Sequence, residues 1–60
     1  MLELSTVLIQ EQDLQSFEEL LDVIRTRAKT SNERFFRIDV KPPYGDVPDN
    51  WEDRLEAAFC

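Results

Sequence analysis

One apolar stripe constrains this chain more than any other feature. Leu14, Phe17, Leu21, Ile24 and Ala28 recur at alternating intervals of three and four residues, and Leu20 and Val23 widen the face they define. At about 3.6 residues per turn, that spacing puts all of them on one side of an α-helix. The stripe predicts a helix over 14–29. Asp13 stands where an N-cap belongs, and Ser16 followed by Glu19 offers a second start with capping-box spacing. Acids fill its first half and Arg25, Arg27 and Lys29 its last turns, the order of sign that the helix dipole favours. Thr30-Ser31-Asn32 supplies the stop, since short polar side chains compete with the helix for backbone hydrogen bonds.

Beyond the stop, residues 34–40 alternate as a strand does. Phe36, Ile38 and Val40 share one face, and Phe35, Arg37 and Asp39 share the other. Pro42 and Pro43 end it, because neither can donate a hydrogen bond to a ladder. Residues 41–50 then make a stiff loop with three prolines, in which Pro43-Tyr44 followed by Gly45 suits a type I turn. Asp49 or Asn50 can cap a final helix over 51–59, with Asp49 and Glu52 at capping-box spacing. Trp51, Leu55 and Phe59 line its apolar side.

Residues 2–9 admit two readings. Leu2, Leu4, Thr6 and Leu8 alternate with Glu3, Ser5, Val7 and Ile9, and the β-branched content favours a strand. The rival reading carries the helix back to Ser5, because Val7, Gln10 and Leu14 continue its heptad. The strand reading is preferred. It gives a small α+β domain over residues 1–60 in β-α-β-α order, with two parallel strands joined by a helical crossover. The alternative is a mostly α chain with one long N-terminal helix. Two strands form a marginal sheet, so a homodimer is expected, either pairing strand edges or packing the Leu14–Ala28 stripe helix to helix.

Size sharpens that expectation. A 7.1 kDa chain buries about 6,000 Å² on folding. With a little over half of that area apolar, burial contributes about 85 kcal/mol. Ordering 60 residues costs about 90 kcal/mol, so the two nearly cancel. Anything that binds only the folded form then tips the balance. No apolar run approaches the ~20 residues a membrane helix requires. The first ten residues carry no Lys or Arg ahead of their apolar stretch, which argues against a secretory leader. A lone cysteine, Cys60, fits a reducing compartment, and the expected location is the cytoplasm.

Chemical equipment is sparse. With no His, one Cys and one Gly, the chain lacks the usual zinc ligands, an activated nucleophile and a phosphate-cradling loop. Glu18 with Asp22, and Glu52 with Glu56, stand four apart, a spacing that can hold a cation or set up two unequal carboxyls. The plainer account is a solvated helix face, with Asp22 pairing to Arg25. No enzyme, cofactor or metal is expected. Charge falls in three blocks: −6 over residues 1–24, +4 over 25–41 and −4 over 42–60. The basic block, Arg25–Lys41, contains Phe35 and has Tyr44 nearby, and would serve a weak direct nucleic-acid binder. A pI near 4.4 opposes that role.

Partner contact remains the leading expectation. Tyr44, Trp51, Leu55 and Phe59 are the candidate interaction residues, since aromatics bury large areas at small rotamer cost. Glu18, Asp22, Glu52, Asp53 and Glu56 form the candidate acidic surface, while Leu14, Phe17, Leu21, Ile24 and Ala28 serve a core or a dimer. The chain reads as a small acidic non-enzymatic protein that binds another protein as an accessory regulator or inhibitor. Phage and mobile-element products are often of this kind. The main alternative is an acidic nucleic-acid mimic that blocks a DNA- or RNA-binding enzyme.

Overall fold

Five elements follow one another along the chain in a computed structural model that describes residues 1–30 and 33–60. They are β1 (Leu2–Glu3), α1 (Leu4–Gln10), α2 (Phe17–Thr30), β2 (Phe36–Arg37) and α3 (Trp51–Phe59). The arrangement is α+β, with β1 and β2 parallel and Leu2 opposite Phe36. Ser31 and Asn32 of the expected stop lie outside the described residues.

The stripe builds α2 as its spacing requires. Phe17, Leu20, Leu21 and Ile24 are buried, and Leu14, Val23 and Ala28 are half-buried along the same side. The start lies three residues later than the stripe alone implies. Ser16 is the residue that closes it: its Oγ accepts from the Glu19 N–H at 3.2 Å, and the Glu19 carboxylate accepts from the Gln15 N–H at 2.7 Å. Asp13 stays exposed in the preceding turn. A third acceptor comes from far along the chain, where the Asp46 carboxylate takes the Phe17 N–H at 3.0 Å. The contacts to the Phe17 and Glu19 N–H groups satisfy donors that the first helical turn leaves unpaired.

Residues 2–9 depart from both sequence readings. Only Leu2–Glu3 is strand, and Leu4–Gln10 is a separate helix, divided from α2 by the turn after Gln10. Neither an eight-residue strand nor one long helix forms. Two physical reasons are visible. The alternation was never apolar against polar, because Val7 and Ile9 sit on the face opposite Leu4 and Leu8. Leu4 and Val7 instead fall one helical turn apart and are both fully buried. The second reason is remote: Asp39 accepts from the Ser5 N–H at 3.0 Å and from its hydroxyl at 2.7 Å, capping α1 across 34 residues.

β2 is shorter than the predicted 34–40, but its faces are as expected at Phe36 and Ile38, which pack on the core, while Val40 is 39% exposed. The loop turns at Gly45-Asp46 and not at Pro43-Tyr44. α3 begins where expected, yet Asn50 makes no side-chain cap. Backbone bonds close its start instead, from the Trp51 N–H to the Pro48 carbonyl at 3.2 Å and from the Arg54 N–H to the Asn50 carbonyl at 3.1 Å.

One core gathers Leu2, Leu4, Val7, Phe17, Leu20, Leu21, Ile24, Leu55 and Ala58. No polar or charged side chain is buried among the described residues. The surface area is 4145 Å², close to the roughly 4,100 Å² that scaling gives for this mass. Of the core or dimer stripe, Phe17, Leu21 and Ile24 are buried in this core, and Leu14 and Ala28 are half-buried.

Candidate functional site

The geometry of one end of the molecule follows from how α2 and α3 lie together. Arg54, in the first turn of α3, reaches Glu18 at 3.0 Å and places its guanidinium 5.8 Å from the Phe17 ring centroid. At the other end, Ala57–Cys60 and the Arg25, Ala28 and Lys29 side chains line one depression. The two helices therefore run in the same direction. Their acidic first turns, Glu18-Glu19 and Glu52-Asp53, emerge together.

The loop from Lys41 to Asn50 completes this end. Asp46 holds the α2 start, and half-buried Tyr44, Val47 and Trp51 pack against the core below. Partial burial pushes the Tyr44 hydroxyl pKa above its ordinary 10.0, and the charge of Glu19 adds to the shift. Exposed carboxylates and half-buried aromatic and apolar side chains thus share this end of the molecule.

The predicted residues divide accordingly. Tyr44 and Trp51 come together with Glu18, Glu52 and Asp53 at this end. Leu55 is fully buried and presents nothing to a partner, and Phe59 stacks on Phe36 with ring centroids 5.3 Å apart. Glu56 is exposed farther along α3. Asp22 pairs with Arg25 at 2.8 Å and Glu18 with Arg54, so these two acids each face a cation and not one another. Among the described residues no three carboxylate or thiol groups are arranged to hold a metal ion. None of the helices in the described part is long and apolar enough to cross a membrane.

The basic block is largely answered by acids. Arg25 meets Asp22, Arg27 meets Glu11 at 3.7 Å and the Gln10 side chain at 2.7 Å, and Arg37 meets Glu3 at 3.6 Å. Arg34 and Lys41 are exposed. Sequence reasoning passed over Asp39 and Asp46, which cap α1 and α2 from a distance. Nothing local marks either as a cap, because their partners lie 34 and 29 positions away. The Ser5 hydroxyl, then the Ser5 N–H, hold the Asp39 carboxyl below its ordinary 3.8. No family model, curated protein or solved structure matches this chain.

Proposed function

We propose that this chain is a small acidic, non-enzymatic protein of the cytoplasm that binds another protein as an accessory regulator or inhibitor. The acidic end meets a basic surface on that partner. What supports this reading is the parallel packing of α2 and α3, which gathers Glu18, Glu19, Glu52 and Asp53 around Tyr44 and Trp51. Exposed charges steer the encounter and half-exposed aromatics supply area to bury, a division of labour common at interfaces.

The experiment is to capture the partner from source cells with the full chain, then to measure affinity between the purified proteins. Reversing Glu52 and Asp53 to Lys, both exposed and neither in the core, weakens binding by about tenfold or more and flattens its salt dependence. Unchanged affinity in the double variant refutes the acidic end as the contact.

A second reading draws on the same clustering of carboxylates: a decoy that occupies the phosphate-binding surface of a nucleic-acid enzyme. Under it, duplex DNA displaces the chain from its partner. A partner that binds DNA and this chain together at one time rules the decoy out.

A further inference from the structure

The outer face of the sheet carries a surface of opposite character to the acidic end. Its register pairs Leu2 with Phe36 and Glu3 with Arg37, so Met1 and Phe35, one step back, are also neighbours. The Leu2 N–H donates to the Phe35 carbonyl at 2.9 Å, which carries the ladder that far. Alternation sends Leu2 and Phe36 inward and Met1 and Phe35 outward, where they are 70% and 67% exposed. The uncovered face of a sheet is ordinarily polar. Here it bears two large apolar side chains, side by side.

The same ladder leaves an edge open. Phe35 and Arg37 turn their backbone groups toward β1, so Phe36 turns its N–H and C=O the other way. Among the described residues no third strand lies on that side of β2, and a sheet edge of this kind is a template for another strand. Exposed Arg34, Arg37 and Lys41 flank it along the chain, with exposed Asp39 between the last two. Arg37 is 63% exposed and lies near two carboxylates, Glu3 at 3.6 Å and Asp39, with its exposed side turned to solvent.

We infer that β2 accepts an extended acidic segment of a partner protein as a third strand. Its backbone pairs with Phe36, its apolar side chains cover Phe35 and Met1, and its carboxylates meet Arg34, Arg37 and Lys41. Main-chain bonds supply affinity in such strand addition, and alternate side chains supply specificity. A peptide fits better than a nucleic acid, because only a peptide uses the open backbone edge. A net charge of −6 also repels a long polyanion. This surface is separate from the acidic end and does not depend on its role.

The test uses the full chain and a fluorescein-labelled peptide of alternating Val and Glu, about six residues long. Anisotropy is followed against a Lys-for-Glu peptide, a peptide interrupted by Pro, and oligothymidine. The Val-Glu peptide binds, Phe35→Ser and the Arg34→Glu/Arg37→Glu pair each weaken it about tenfold, and the Glu52→Lys variant leaves it unchanged. Phe35 points outward, so circular dichroism of its variant matches the parent. The proline arm tests edge pairing on the unaltered protein. Equal binding of the Pro or Lys peptide overturns the proposal, as does no binding at about 1 mM peptide. Tighter, Phe35-dependent binding of oligothymidine overturns it in favour of a nucleic acid. Self-association abolished by Phe35→Ser overturns it in favour of a second copy.

Discussion

The starts of α2 and α3 lie side by side, yet they are secured in different ways. α2 receives two side-chain acceptors on its first turn, Ser16 on the Glu19 N–H and Asp46 on the Phe17 N–H, while its own Glu19 reaches back to the Gln15 N–H ahead of it. α3 receives none from Asn50, although Asp49, Asn50 and Glu52 are the residue types and spacing that capping motifs use. Its Trp51 N–H closes on the Pro48 carbonyl, while the Arg54 N–H to Asn50 bond is the ordinary first bond of a helix, as the Leu20 N–H to Ser16 bond is in α2. A capping residue acts only when the preceding chain arrives at a suitable angle. Asn50, at φ −93° and ψ 31°, lies outside the extended region in which cap side chains reach the first turn. A backbone carbonyl at Pro48 thus takes one donor at the start of α3, where side chains take them at the start of α2.

Substitutions at the two starts test that contrast. The largest effect is expected at Phe17, which both opens α2 and lies in the core at 1% exposure. Phe17→Ala lowers stability by about 3–5 kcal/mol, read as an earlier midpoint in urea with unchanged slope. Next come the caps themselves. Asp46→Ala costs about 1 kcal/mol by removing the acceptor on the Phe17 N–H, whereas Asn50→Ala shifts the same midpoint by no more than about 0.5 kcal/mol. Equal costs at the two positions would erase the distinction between the starts.

The smallest effect is a matter of pH and concerns the other remote cap. The folded Asp39 carboxyl titrates below its ordinary 3.8, so the folded state holds its proton less tightly than the unfolded chain does. Its contribution is therefore complete above that value and disappears as pH falls through the lowered one. Asp39→Asn removes this part of the acid limb, which urea midpoints measured from about pH 5 downward for parent and variant reveal. Tyr44 has the opposite sign. Its raised pKa makes the fold lose stability as pH climbs above 10.0.

What can be read locally was legible. The α2 stripe and the Trp51–Phe59 helix declare themselves because their partners are three or four residues away. Phe36 and Ile38 took the inner face that their alternation implies. Residues 4–10 were opaque for a matching reason. Their helix is capped by Asp39, whose carboxylate comes from 34 positions away in the sequence. At the candidate site, Tyr44 and Trp51 were singled out as aromatics. Their company of carboxylates follows from α2 and α3 running parallel, which no pattern within either helix encodes. Leu55 shows the limit from the other direction: it shares a stripe with Trp51 and Phe59, but lies in the core with no exposed surface.

Both long-range caps leave from one short stretch of chain, Asp39 to Asp46. A protease cut between them would leave Asp39 on the fragment that carries both helices and Asp46 on the other, so α1 keeps its carboxylate while α2 loses the covalent tie to its own. Digestion of that stretch, which lies in neither helix, should therefore be felt first at the start of α2.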